Sequence, residues 1–310
     1  MNTIALCIPA YNAAWCLPRL LESAKKQSIP FDEILVYNDC STDDTAAVAE
    51  KYGAKVINGI ENKGCSFGKN ALAEIAVSEW IHFHDADDEL LPNFMDVAQK
   101  WLEKEKDIIL LNFEYIDFNT KQIIAIADYD REKLLRNTPQ FVLQNKIVNF
   151  AICKKASFVK MGGFDLHPDV LFNEDRAFYV NAVMHNLTFD YEPVITCINY
   201  KYAQSMSSNN QLKCLKAYYN VSLKIANSLG KVYPKDLANG LWDNATSAAS
   251  YQDWKLVKQN IALATKLNGR IPENQSTIVK LLSFINPMLS YWIREKLIRL
   301  IKPELRKINE

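Results

Sequence analysis

The sequence predicts an α/β fold, with a mostly parallel, Rossmann-like sheet flanked by helices and a helical extension at the C-terminus. Three short apolar runs early in the chain are each followed by a polar turn and then by apolar residues at helical spacing. This alternation is typical of right-handed βαβ units, which build parallel sheets. After residue 208 only helical spacing remains. We therefore expect a sheet domain over residues 1–208 and a helical region over residues 209–310.

The expected strands are short. Residues 4–8 form a continuous apolar run, which suits a strand buried on both faces. Runs at 34–37 and 55–57 predict the next two strands, and the run from Trp80 ends abruptly in carboxylates. Apolar residues recur every three or four positions in the segments between the strands and near the C-terminus, which predicts helices there. The expected helices span residues 15–25, 45–52, 67–77, 212–229, 237–249 and 254–267.

Asp85, Asp87 and Asp88 follow the fourth apolar run within four positions. Carboxylates this close repel one another unless a cation lies between them, so the cluster predicts a site for a divalent metal, Mn²⁺ or Mg²⁺. A second interpretation is an acidic helix start near Leu90, with Asp85 as its cap. The alternation of strands and helices favours the metal, because parallel sheets bind ligands at the carboxyl ends of their strands.

Polar clusters also follow the first two strands, at residues 9–12 and 38–41. Both lie at carboxyl ends of expected parallel strands, as the aspartates do. We therefore expect three clusters that are separated in sequence to converge on one crevice.

The order of these motifs resembles that of family 2 glycosyltransferases of GT-A fold. The resemblance covers residues 3–205, and the family usually has Asp-Asp-Gly-Ser where this chain has Asn38 and Cys40 at the first and third positions. The matching segments are Pro9-Ala10-Tyr11-Asn12, Asn38-Asp39-Cys40-Ser41-Thr42-Asp43, Asn62-Lys63-Gly64 with Lys69-Asn70, Asp85-Ala86-Asp87-Asp88, Gly162-Gly163-Phe164-Asp165 and Glu174-Asp175.

The resemblance implies a role for each matching position. Tyr11 would lie near the nucleotide base, Asp39 would accept from a ring N–H, and Asp85 would contact the ribose side. Metal ligands would be Asp87 and Asp88, and the catalytic base would be Asp175. The full set of expected nucleotide-binding residues is Pro9, Tyr11, Asn12, Asp39, Lys69 and Asp85.

The residues themselves suggest the chemistry. A metal at Asp87 would neutralise charge on a departing sugar diphosphate, and Asp175 would take the proton of an acceptor hydroxyl. A single base of this kind implies direct displacement with inversion. Asp175 also fits the first turn of a helix that Asn173 caps, and Lys69 fits either a diphosphate contact or a solvated helix start.

Two further motifs leave alternatives open. His82 and His84 alternate with apolar residues, as on a strand, and would be buried histidines or a third metal ligand. Gln204 and Ser207 occupy positions at which the resemblance implies diphosphate contacts.

The predicted function is a hexosyltransferase-type enzyme of polysaccharide biosynthesis, using a nucleotide-sugar donor, UDP by the resemblance, and a glycan or lipid-linked acceptor. A nucleotidyltransferase of related fold is an alternative, but it would be expected to have a Gly-rich basic loop after the first strand. A third hypothesis is a non-catalytic subunit that binds a sugar nucleotide. The formal net charge of zero argues against nucleic acid as partner.

The expected location is the cytoplasm. The seven cysteines form no C-x-x-C pair, and neither a signal peptide nor a membrane span is recognisable. Residues 288–307 nevertheless predict an amphipathic helix that would lie on the cytoplasmic face of the inner membrane, or pack on protein instead. Its apolar stripe is Leu289, Trp292, Ile293, Leu297, Leu300 and Ile301, and its basic residues are Arg294, Lys296, Arg299, Lys302, Arg306 and Lys307.

Overall fold

The computed structural model describes residues 2–148, 150–202, 209–268, 271 and 275–306. The chain forms two compact units. The first comprises Met1–Val142, Ile147–Leu166 and Ala177–Ser208, and the second comprises Leu143–Lys146, His167–Arg176 and Asn209–Glu310. The second unit therefore includes two short earlier segments as well as the helical region, and one of these segments carries Asp175.

Nine strands in the described residues form one mixed sheet in the first unit. They are β1 (Ile4–Ala10), β2 (Glu33–Asn38), β3 (Lys55–Asn58), β4 (Trp80–Phe83), β5 (Glu89–Leu90), β6 (Ile108–Asp117), β7 (Ile123–Ile126), β8 (Ala151–Lys154) and β9 (Phe189–Lys201). Their order is β3-β2-β1-β4-β8-β6-β9-β5, with β7 paired to β6. Strands β1 to β4 are parallel, as predicted, and β6 is parallel to β9. The remaining pairings are antiparallel, so the sheet becomes mixed beyond β4.

Helices follow the early strands at nearly the predicted positions. The helix after β1 begins at Leu17, because Pro18 occupies its first turn, where the missing N–H costs no hydrogen bond. Its Leu20 and Leu21 are buried in the same core cluster as the side chains of β1. The helices up to residue 184 are α1 (Leu17–Lys25), α2 (Thr45–Lys51), α3 (Cys65–Ile75), α4 (Phe94–Leu102), α5 (Arg131–Arg136), α6 (Thr138–Gln144), α7 (Lys155–Lys160) and α8 (Glu174–Met184).

The second unit is helical. Its longest helices are α9 (Gln211–Ile225), α11 (Pro234–Ser250), α12 (Trp254–Asn268) and α14 (Pro287–Ile301), with the short α10 (Leu229–Val232) and α13 (Thr277–Ser283) between them. In its core the ring of Tyr291 stacks on Trp242 at 6.4 Å between centroids, and the Tyr291 hydroxyl donates to the Trp242 carbonyl at 3.1 Å. None of the helices that the structure describes combines the length and apolar character needed to cross a bilayer.

Candidate active site

The loops that follow β1 and β2 are joined by hydrogen bonds. Asn12 has a φ of 48°, and its side-chain oxygen accepts from the Thr42 N–H at 2.8 Å. The Ala13 N–H donates to Thr45 Oγ1 at 2.8 Å. On the other side of Tyr11, the Ala10 carbonyl accepts from the Asp39 N–H at 2.8 Å, while Tyr11 itself remains 52% exposed. The predicted base-contacting ring is thus presented to solvent by a loop that is held on both sides.

Asp39 is buried at the end of β2, with both carboxylate oxygens engaged. They accept from the backbone N–H groups of Lys63 and Gly64, each at 2.8 Å. Asp39 therefore fixes the start of α3 against β2, and its predicted contact with a nucleotide base would come in addition. The next residue, Cys40, has a φ of 60°, the left-handed region that favours the glycine usual at this position in the family.

Helix α3 approaches the ends of β1 and β2 very closely at Gly68. A Cβ atom there would lie 2.9 Å from the Tyr37 ring and 3.2 Å from Cβ of Pro9. Pro9 is buried in this contact. The predicted nucleotide residue Pro9 thus also has a packing role, because it forms part of the surface that lets α3 lie flat on the sheet.

Lys69 lies one position further along α3 and forms an ion pair with Asp85. Its Nζ is 3.2 Å from Asp85 Oδ1, and its side chain is only 4% exposed while that of Asp85 is 48% exposed. The interpretation of Lys69 as a merely solvated residue is therefore wrong. Helix α3 thus connects the loop after β2 with the turn after β4. Asp39 binds the residues just before α3, and Lys69 on α3 is paired with Asp85.

Asn70 explains why a second motif, Gly162-Gly163-Phe164, accompanies Lys69-Asn70. The Asn70 side chain donates to the Phe164 carbonyl at 3.0 Å and accepts from the Phe164 N–H at 2.9 Å. Gly163 has a φ of 70°, and a Cβ there would lie 2.5 Å from Asn70 Oδ1. Glycine is required here for the close approach of Asn70.

The acidic run after β4 is a turn that leads into a strand. Glu89 and Leu90 form β5, which pairs with β9, and helix α4 begins only at Phe94. The interpretation of this run as a helix start near Leu90 is therefore wrong. Asp85 to Asp88 instead stand at the carboxyl end of β4, beside the loops that follow β1 and β2.

Asp88 is enclosed by the end of β9. Its carboxylate accepts from Asn199 Nδ2 at 2.7 Å and from the Tyr200 N–H at 2.9 Å, and it is 1% exposed. Burial, followed by the charges of Asp87 and Asp85, raises the pKa of Asp88 well above its usual value. These contacts give Asp88 a structural role in joining the turn to β9, and its predicted role as a metal ligand gains no support from them.

Asp87 has a different environment. Burial and the charge of Asp85 raise the pKa of its carboxyl to about 6. The Tyr202 hydroxyl donates to its Oδ2, and Arg19 donates to its backbone carbonyl. The sequence does not predict Arg19 or Tyr202 as contacts of Asp87. The predicted contacts Gln204 and Ser207 lie outside the described residues.

The side chains of Asp85 and Asp87 suit a hard divalent ion. They offer carboxylate oxygens, the ligands that Mn²⁺ and Mg²⁺ prefer, and Asp85 is accessible from solvent. The raised pKa of Asp87 has burial as its largest cause and the charge of Asp85 as the second, and a cation beside both carboxylates would offset both effects. Both residues would hold such an ion.

His82 and His84 are fully buried beneath the turn. His82 Nε2 lies 2.9 Å from His84 Nδ1, and His82 Nδ1 lies 3.0 Å from the Ala151 carbonyl. Burial lowers the pKa of His82 to about 4 and that of His84 well below 6.5, so both are neutral at physiological pH. Ligand atoms of these two residues and Cys197 lie within 4.8 Å of one another. This environment favours the reading of buried histidines over that of a third ligand beside the aspartates.

Asp175 lies in the first turn of α8, next to Glu174, and is half-buried. It belongs to the second unit. In the same unit the guanidinium of Arg176 covers the Tyr218 ring at 4.3 Å, which anchors the start of the helix. The predicted cap is wrong, because the buried Oδ1 of Asn173 accepts no hydrogen bond within the described part of the chain. The position of Asp175 fits both the first turn of a helix and the predicted catalytic base, so its role stays a prediction.

Carboxylates at the end of a central strand, joined loops at neighbouring strand ends and this order of motifs are the arrangement of a GT-A glycosyltransferase. The chain belongs to glycosyl transferase family 2, whose family model matches residues 5–162. This confirms the predicted family. An uncharacterized glycosyltransferase of Haemophilus influenzae is 26% identical over 167 residues, which are 52% of this chain and 55% of that protein. The match thus spans little more than half of that relative's length.

Solved structures of similar fold include residues 1–349 of Staphylococcus aureus TarS in complex with UDP-GlcNAc. The TM-score is 0.70 with 19% identity, and 97% of this chain and 92% of that chain are covered. The mannosyltransferase PcManGT of Pyrobaculum calidifontis, in complex with GDP-Man and Mn²⁺, gives a TM-score of 0.59 with 16% identity over 97% of this chain and 81% of that one. The likeness confirms the predicted fold class.

Proposed function

We propose that the chain is an inverting, metal-assisted glycosyltransferase that transfers a sugar from a UDP-sugar to an acceptor hydroxyl in surface-glycan assembly. The observation that carries this proposal is the turn after β4, where Asp85 and Asp87 crowd together and the pKa of Asp87 rises to about 6. Two carboxylates in this state would favour a divalent ion between them and a diphosphate. The UDP in the structure of TarS supports the choice of nucleotide.

The chain's own residues would divide the work as follows. Tyr11, on its anchored loop, would cover the base, and Asp39 would hold the loop that closes beside it. Lys69 is buried beside Asp85 and would direct its positive charge towards the diphosphate. A bound divalent ion would supply further positive charge to the leaving group.

Asp175 would act at the acceptor. Its carboxylate would take the proton of the acceptor hydroxyl as that oxygen attacks the anomeric carbon, and the bond from that carbon to the diphosphate oxygen would break. One attack of this kind inverts the anomeric configuration. The sheet domain, residues 1–208, would bind the donor, and residues 209–310 would shape the acceptor side.

We also propose that α14 lies on an anionic membrane surface where a lipid-linked acceptor would be met, but with fewer charges than its sequence suggests. Arg299 and Arg306 bind the buried Glu295, at 2.9 and 2.8 Å. Lys296 and Lys302 remain exposed, and Lys307 lies outside the described residues. Leu289, Trp292, Lys296 and Leu300 recur at helical spacing among the exposed residues of α14 and would form the contact face.

Calorimetric titration of the purified chain with UDP, with and without Mn²⁺, tests the proposal. We expect UDP to bind more tightly with Mn²⁺, and Asp87→Asn to remove this difference. Glu105→Gln is the control, because it removes an exposed carboxylate just after α4. This variant should keep the difference in UDP affinity between solutions with and without Mn²⁺. At about 100 times its dissociation constant, UDP with Mn²⁺ should add about 2.7 kcal/mol of stability. UDP affinity that is indifferent to both Mn²⁺ and EDTA would contradict the metal-assisted site.

A further inference from the structure

Tyr202 contacts the carboxylate of Asp87 in the turn after β4. Its hydroxyl donates to Asp87 Oδ2. Tyr202 follows β9 directly, so the contact joins residues that are 115 positions apart in the chain. A carboxylate held by one oxygen cannot rotate freely, so the phenol fixes the direction in which the other oxygen points.

The Tyr202 ring is itself held by aromatic neighbours. Trp15 meets it edge-on at 5.8 Å between centroids, and Phe118 meets it at 5.9 Å. Trp15 and Phe118 also contact each other at 5.9 Å. We call Trp15, Phe118 and Tyr202 the aromatic cluster. Three mutually touching rings leave little freedom to the hydroxyl, which therefore approaches Asp87 from a fixed direction.

Arg19 connects the aromatic cluster to the backbone of the same aspartate. It donates to the Asp87 carbonyl, and its guanidinium lies 5.4 Å from the centre of the Phe118 ring. It also covers the Tyr200 ring at 4.2 Å. Backbone and side chain of Asp87 are thus anchored by one set of residues, drawn from three distant parts of the chain.

We propose that Tyr202 is a positioning residue for the metal site, which orients the Asp87 carboxylate towards the ion. This rests on the proposed function of Asp87 as a metal ligand. Groups that hydrogen-bond to a ligating carboxylate reduce the rotation lost when the ion binds and set the ligand's direction. Tyr202 therefore acts on metal affinity, and on donor affinity only through the metal.

Tyr202→Phe is the direct test, since it keeps the ring in the aromatic cluster and removes only the hydroxyl. Tyr200→Phe is the matched control, because that hydroxyl donates to Glu89 Oε2 at 2.8 Å. Mn²⁺ binding to the UDP complex is measured by the loss of the free-Mn²⁺ signal in electron paramagnetic resonance. We expect Tyr202→Phe to weaken Mn²⁺ binding about tenfold or more, and Tyr200→Phe to change it by less than about twofold.

UDP affinity without metal is measured on the same variants and should be equal in all of them. Trp15→Leu serves as a second variant, which loosens the ring from its exposed side and should weaken Mn²⁺ binding in the same direction. Mn²⁺ binding that is equal or tighter in Tyr202→Phe, while the parent binds Mn²⁺ and Asp87→Asn does not, overturns the positioning role and leaves the metal site intact. A parent chain that binds no Mn²⁺ overturns the proposed function and the positioning role with it.

Discussion

The acidic turn after β4 and the surroundings of Glu295 on α14 treat buried charge in opposite ways. Glu295 is 1% exposed, and Arg306 donates to its two oxygens at 2.8 and 3.0 Å, while Arg299 lies 2.9 Å away. In the turn, carboxylates stand beside carboxylates, and the pKa of Asp87 rises to about 6. Around Glu295, Arg299 and Arg306 neutralise the charge of the buried carboxylate. The acidic turn joins three aspartates, of which Asp85 is paired with Lys69, and the charge of Asp85 adds to burial in raising the pKa of Asp87.

The difference shows how a charged cluster is to be interpreted. Sequence presents both regions as runs of like charge, acidic in one and basic in the other. Arg299 and Arg306 are paired with Glu295 and serve the fold, so these two basic residues are unavailable to a membrane. At Asp87 the raised pKa of a carboxyl beside other carboxyls is one of the features on which we base the proposed metal site.

We expect the largest effect from Asp175, the carboxylate of the second unit that we propose as the catalytic base. Asp175→Asn keeps the shape of the side chain but cannot take a proton, so we expect turnover to fall by about 10²- to 10⁴-fold with donor affinity unchanged. Its neighbour in the same helical turn provides the control, because Glu174→Gln should retain turnover within about tenfold. Steady-state kinetics at saturating donor decides, and the reverse pattern would exchange the roles of the two residues.

We expect a large effect on stability from Glu295, whose buried carboxylate is paired with two arginines. Glu295→Gln would leave Arg299 and Arg306 without their carboxylate, and both keep some solvent access, at 29% and 16% exposure. We expect a loss of about 2–3 kcal/mol in the free energy of unfolding, measured by urea denaturation. Glu304→Gln on the exposed segment that follows should change it by less than about 0.5 kcal/mol. Equal changes in the free energy of unfolding for both substitutions would show that the ion pairs of Glu295 do not stabilise the fold.

We expect a smaller and pH-dependent effect on stability from Asp87, whose pKa is raised. The folded pKa of Asp87 is about 6 against 3.8 for the free side chain, so the folded chain holds a proton that the unfolded chain has lost. The resulting stabilisation is present at pH 4 and is lost as pH rises through 6. Between pH 5 and pH 7, without divalent ions, the parent should lose about 1 kcal/mol relative to Asp87→Asn. Parallel stability curves for the two proteins would show that the charge is compensated.

The smallest expected effect concerns the residues of α14 that remain outside the Glu295 cluster. Each Lys near an anionic surface contributes about 1 kcal/mol, so Lys296→Gln should lower partition onto anionic vesicles about fivefold. Lys255→Gln removes the same charge from an exposed position on α12. Co-sedimentation with anionic and neutral vesicles provides the measurement. If both variants behave as the parent does, α14 contacts protein and the acceptor need not be lipid-linked.

The parts of the fold that could be predicted are those encoded by local patterns. The first four strands and their helices follow from the alternation of apolar runs with helical spacing, and the polar ends of β1, β2 and β4 were recognised for the same reason. The antiparallel part of the sheet was not predicted. β5 is two residues long and pairs with Cys197 and Ile198, more than a hundred positions away, so no local periodicity indicates it.

The candidate site shows the same limit at the level of single residues. Asp87 and Asp88 are equivalent in sequence, yet β9 encloses the second and Tyr202 holds the first. Lys69 reads as a surface lysine on α3 and is in fact 4% exposed. Such differences depend on which distant segment covers a side chain, and a single sequence contains no pattern that specifies this.

The double hydrogen bond between Asn70 and Phe164 has a consequence for the order of folding. It joins residues 94 positions apart, so the intervening chain must lose much of its conformational freedom before the contact forms. We therefore expect this contact to be absent from the folding transition state. Asn70→Ala should then accelerate unfolding and leave the folding rate nearly unchanged, so that Asn70 acts as a latch whose loss shortens the lifetime of the native state.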